Sequence, residues 1–97
     1  MLTFNEANGT ITVSFPKKMS TPVCAQIEGD LMETVNRKEQ NIIFDMQGVE
    51  FISSMFLRLC HMVNKTTGKG RFELINISPS VMLVFKISGY DQLLRLK

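Results

Sequence analysis

Two adjacent serines, Ser53 and Ser54, stand inside the stretch VEFISSMFLRL at residues 49–59, which is otherwise apolar except for Glu50 and Arg58. Neighbouring hydroxyls at the opening of a helix can do two different things. One can cap the helix, its oxygen accepting from a free backbone N–H of the first turn, which is worth about 1 kcal/mol; Ser53 and Ser54 both suit that role. The other hydroxyl is then left where a helix N-terminus favours negative charge. It can carry a phosphate, with Ser54 as the first choice and Ser53 as the second, and with Arg58 one turn away. The fold would tolerate that charge, since anions at a helix N-terminus gain roughly 0.3–1 kcal/mol. A partner docked over it would not. It would have to desolvate about 1.5 to 2 negative charges at several kcal/mol per buried ion, which exceeds a hundredfold in affinity at about 1.4 kcal/mol per tenfold.

Other chemistry finds little support. No GxSxG elbow surrounds the serines, and Gly68-Lys69-Gly70 is an isolated turn without a phosphate-loop pattern. His61 is the sole histidine, lies on the polar edge of the same helix as Ser54, and has no carboxylate to orient it as a general base. Asp45 ends a strand, but no acidic pair precedes it to help hold magnesium, so it is assigned to capping a turn. Cys24 and Cys60 belong to no CxxC or CxxH pattern and are expected as small core residues. Neither an enzyme, a cofactor nor a metal site is expected.

The elements that must position these groups follow from periodicity. LTFNEANGTITVSF is a hairpin: Ile11, Val13 and Phe15 alternate with Thr10, Thr12 and Ser14, and Asn8-Gly9 supplies the turn. Leu2 and Phe4 suit the inner face of the first strand, and Pro16 ends the second. A helix follows, capped by Ser20 or Thr21 with Pro22 in its first turn. Cys24, Ile27, Leu31 and Val35 form its buried stripe, and Arg37 and Lys38 complement its dipole. Asn41 to Asp45 is an unalternating apolar run that suits a central strand covered on both faces. Gly48 turns the chain, and Val49, Phe51 and Ile52 return to the core.

From Ser54 the period is helical, with Phe56, Leu59, Cys60 and Val63 as the core stripe, widened by Met55 and Met62. Ser54, Arg58, His61 and Lys65 form the wet edge. Residues 66–70 read as a loop and Arg71 to Asn76 as a strand with Phe72 and Leu74 facing one way. Ser78-Pro79 opens a helix through Val81, Val84 and Phe85 that Gly89 closes, and Leu93, Leu94 and Leu96 pin a last short turn. Strand–helix–strand links of this length force parallel neighbours with right-handed crossovers. The expected fold class is α/β, with a small mixed β-sheet, an N-terminal hairpin plus parallel strands, and helices packed against it.

The 97 residues suit one domain, 1–97. A net charge of +2 without any basic stripe argues against nucleic-acid binding. No apolar run approaches the roughly 18–20 residues of a membrane span, and the N-terminus MLTFNEANG lacks a signal-peptide pattern, so a cytoplasmic location without membrane insertion is expected.

The run IIFDMQGVEFISSMFLRL resembles the centre of STAS domains, the sulfate-transporter and anti-sigma-factor-antagonist family: an apolar strand ending in Asp, a short turn, then a D/S-S-S/A-G-L segment opening a helix. INISPSVMLVFKISGYDQLL resembles their tail, and the likeness runs in order over nearly the whole chain. The resemblance places Ser53 at the usual Asp, Ser54 at the phosphoacceptor, Met55 at the small residue and Leu57-Arg58 at the frequent Leu-Arg. Phe56 departs from the usual Gly and would set a bulky ring one turn into the helix, where it could crowd the docking face.

What the family implies is a bacterial, non-enzymatic signalling regulator of transcription that works by partner switching. Unphosphorylated, it binds an anti-sigma factor or serine-protein kinase of the histidine-kinase-like ATPase fold. Phosphorylation of the serine releases the partner, and a PP2C-type phosphatase resets the system. Ser53, Ser54, Met55 and Arg58 are the expected partner-binding residues, which Lys17 and Lys18 could flank. The alternative is a STAS interaction module without phosphoregulation, in a signalling scaffold or as a soluble transporter-associated subunit.

Overall fold

Alternating residues and an Asn-Gly turn produce the first two strands, β1 (Thr3–Ala7) and β2 (Thr10–Ser14), in register with Phe4 opposite Val13. The structure is a computed structural model that describes residues 2–37, 40–68 and 70–97; Lys38 and Lys69 lie outside them. Asn8 and Gly9 adopt φ of 53° and 78°, as a two-residue hairpin turn with matching twist requires. Phe4 shares the face of Val13, as expected, but at the margin of the sheet it remains 38% exposed. The remaining elements are β3 (Lys18–Met19), α1 (Thr21–Arg37), β4 (Asn41–Asp45), β5 (Phe51–Ile52), α2 (Ser54–Thr67), β6 (Phe72–Ile75), α3 (Pro79–Ile87) and a 3₁₀ turn over Tyr90–Gln92.

The main sheet has the order β1-β2-β4-β6. Its hairpin is antiparallel, and β2, β4 and β6 run parallel, so the expected mixed sheet is present. One face buries Ile11, Val13, Ile42, Phe44, Phe72 and Leu74 in a single cluster with the apolar stripes of the three helices. Phe44 is at its centre, its ring edge-on to Phe15 at 4.8 Å and to Phe72 at 4.7 Å. Such contacts add roughly 0.5–1.5 kcal/mol each beyond area burial.

Several details differ from the sequence pattern. β4 is covered on one face rather than two: Ile42 and Phe44 are buried, whereas Ile43 is half-buried on the other side, between Thr12 and Glu73. Thr66 and Thr67 extend α2 instead of beginning a loop; Thr67 Oγ1 donates to the Val63 carbonyl at 2.9 Å, and Gly68, at φ 85°, ends the helix. Val84 and Leu93, expected inside, are 36% and 57% exposed, and Leu94 alone of the last three leucines is fully buried. The tail beyond it lies along β6, where Leu74 N–H donates to the Arg95 carbonyl at 3.0 Å and Lys97 N–H to the Leu74 carbonyl at 2.9 Å.

Candidate functional site

A second, two-strand ladder, which the sequence pattern did not show, builds the site. β3 and β5 pair in parallel, Lys18 with Phe51 and Met19 with Ile52. Met19 and Ile52 point into the core, so their neighbours Lys18 and Phe51 point out. The ladder continues into the serines: Ser53 N–H donates to the Met19 carbonyl at 3.0 Å. The Cys24 thiol, from the first turn of α1, donates to the same carbonyl at 3.6 Å and lies 3.7 Å from Ser53 Oγ. Two separate segments, β3 and α1, thus hold one residue in place.

That residue caps α2. Ser53 is extended, at φ −91° and ψ 169°, and its Oγ accepts from Phe56 N–H at 3.4 Å. Of the two serines, it is therefore Ser53 that serves the fold. Ser54 is the first residue of α2; it is exposed, and its hydroxyl makes no hydrogen bond among the described residues. No acidic side chain occupies the first turn of α2, so the positive end of its dipole is not offset there. Met55 is half-buried, and Arg58, one turn on, is exposed and forms no ion pair among the described residues. Arg58, His61 and Lys65 continue the wet edge as expected, with the His61 ring 6.4 Å from that of Tyr90.

Phe56 does not crowd this face. It is fully buried, its ring edge-on to Phe15 at 5.2 Å, because helical spacing turns it inward with Leu59, Cys60 and Val63. Phe51 shows the opposite error: expected in the core, it is 50% exposed beside Lys18. Its position could have been found only by knowing that Ile52, and not Phe51, faces Met19's side of the ladder. Lys17 and Lys18 do adjoin the site, since the Lys17 carbonyl accepts from Glu50 N–H at 2.8 Å and Phe51 N–H at 3.3 Å.

Asp45 holds turns, as its position suggested. Its Oδ1 accepts from Gln47 N–H at 3.1 Å and from Asn76 Nδ2 at 2.9 Å. Cys24 and Cys60 are free and buried, and desolvation pushes both thiols above their ordinary value, Cys60 further than Cys24. Among the described residues no three His, Cys, Asp or Glu side chains gather to hold a metal. No described helix is long and apolar enough to cross a membrane.

A hairpin extended by parallel strands, with helices on one face and an unused hydroxyl at the head of α2, defines a small α/β fold whose distinctive surface is that helix start. The chain belongs to the STAS domain family, whose model matches residues 2–97. It is 28% identical over 91 residues to BtrV of Bordetella bronchiseptica, which bears the name of an anti-sigma factor antagonist; the match covers 92% of this chain and 78% of BtrV. An anti-sigma-factor antagonist domain protein from Planctomyces limnophilus superposes with a TM-score of 0.87 at 20% identity, covering 98% of this chain and 87% of that one. SpoIIAA aligns in both its forms. Unphosphorylated, it has a TM-score of 0.83 at 19% identity over 100% of this chain and 88% of its own. As the phosphorylated Bacillus cell fate determinant, it has a TM-score of 0.75 at 18% identity over 100% and 91%.

Proposed function

We propose that this chain is a non-enzymatic, cytoplasmic partner-switching regulator of the anti-sigma-factor antagonist type, with Ser54 as its phosphoacceptor. Unmodified, it binds an anti-sigma factor or serine kinase of the histidine-kinase-like ATPase fold through Ser53, Ser54, Met55 and Arg58. Phosphorylation of Ser54 releases that partner, and a PP2C-type phosphatase restores binding. ATP and magnesium belong to the kinase. One observation carries the reading: Ser53 does the capping, which leaves the Ser54 hydroxyl exposed and without a structural task at the positive end of α2. A phosphate there meets a favourable dipole in the free chain, whereas a docked partner would have to bury it unpaired. The family and the name of its relative BtrV support the same assignment.

The test is intact-mass measurement after incubation with ATP and a histidine-kinase-like serine kinase from the same genome. The wild-type chain should gain one phosphate and Ser54→Ala none, while Ser54→Asp should bind the kinase more than a hundredfold more weakly. A phosphate gained by Ser54→Ala would move the site elsewhere. Unaltered affinity of Ser54→Asp would leave an interaction module without phosphoregulation.

A further inference from the structure

β5 has only two residues, so it commits one side chain to each side: Ile52 lies inward beside Met19, and Phe51 outward beside Lys18. Half of Phe51 is exposed to solvent, three positions before Ser54, and it stacks on no other aromatic ring among the described residues. The backbone beneath it is fixed, because Glu50 and Phe51 N–H both donate to Lys17 and Ser53 N–H to Met19. A rigidly mounted aromatic loses little conformational freedom on docking, which is why such residues dominate binding energies. Lys17 and Lys18 adjoin it on the β3 side and Arg58 follows Ser54 by one turn of α2; all three are exposed and form no ion pair among the described residues, with Glu50 next to Phe51 as the opposite charge.

We infer that Phe51 is the anchor of the docking surface around Ser54, entering an apolar pocket of the partner whose acidic rim faces Lys17, Lys18 and Arg58. This rests on the proposed partner-switching role and adds its electrostatic logic. The unmodified surface complements an acidic rim, and a phosphate on Ser54 sets like charge against it.

The experiment is calorimetric titration of histidine-kinase-like serine kinases from the same genome with the wild-type chain and its variants, each first shown by circular dichroism to be folded. Phe51→Ala should weaken binding at least thirtyfold, as loss of a hot-spot aromatic does. Lys18→Glu should weaken binding and flatten its salt dependence, and unchanged affinity would overturn the acidic rim. Leu83→Ala, which removes an equally exposed apolar side chain on α3, should change nothing. A loss below thirtyfold for Phe51→Ala, or an equal loss for Leu83→Ala, overturns the inference. A Ser54→Asp variant that binds as well as wild type refutes phosphoregulation alone and leaves the Phe51 result readable. Failure of the unmodified wild-type chain to bind any of these kinases overturns both.

Discussion

Replacing each serine in turn should separate the hydroxyl that serves the fold from the one that does not. Ser53→Ala removes an acceptor that lies 3.4 Å from Phe56 N–H and also the 3.7 Å contact to the Cys24 thiol. Neither donor is left stranded: Phe56 N–H keeps the Ser53 carbonyl at 3.0 Å, and the thiol keeps the Met19 carbonyl. The loss should therefore fall near the middle of the range for caps, about 1 kcal/mol. In a thermal melt that is a drop of roughly 4–8 °C for a chain of this size. Ser54→Ala takes away an exposed group with no hydrogen bond among the described residues, and its effect should stay within about 0.5 kcal/mol. Ser54→Asp should stabilise by roughly 0.3–1 kcal/mol, since nothing acidic offsets the dipole in that turn. Most of this gain should vanish in 1 M salt, where the screening length is about 3 Å. Urea unfolding followed by circular dichroism measures all three variants. A Ser54→Ala loss of 1 kcal/mol or more, or an unchanged Ser53→Ala, would refute the division of roles.

Two further perturbations probe the core beneath the site. Phe56→Ala should cost about 3–5 kcal/mol in urea unfolding, and Phe56→Gly roughly 1 more through helix propensity, because the ring is fully buried against Phe15; a loss under 1 kcal/mol would show that it is not core. The two thiols should resist a thiol reagent in the native chain at pH 7–8 and react fully in guanidinium. Unfolded thiols ionise near the ordinary 9.0 while burial holds the folded ones protonated, so above that pH the unfolded chain binds fewer protons and stability falls. The fall should be smaller in Cys60→Ala, and equal slopes would count against it.

Long periodic patterns were legible in the sequence. The core and wet stripes of α2 follow from spacing alone, as do the Asn8-Gly9 turn and the turn held by Asp45. What escaped depends on partners far along the chain. β3 and β5 are two residues each, too short for any period, so neither their pairing nor the outward path of Phe51 could be inferred. Ile43 looked like a residue covered on both sides because an apolar run cannot reveal that the helices all lie on the other face. Assigning the cap to Ser53 required the helix boundary to the residue, and periodicity does not fix that.

The strip from Arg95 to Lys97 lies against Leu74 and seals the outer margin of β6. Among the described residues, the opposite margin, β1, has a neighbouring strand on one side only. Any visiting peptide, twin molecule or growing fibril that lengthened the sheet at β6 would first have to peel away that strip, whereas at β1 it would meet open main-chain donors and acceptors.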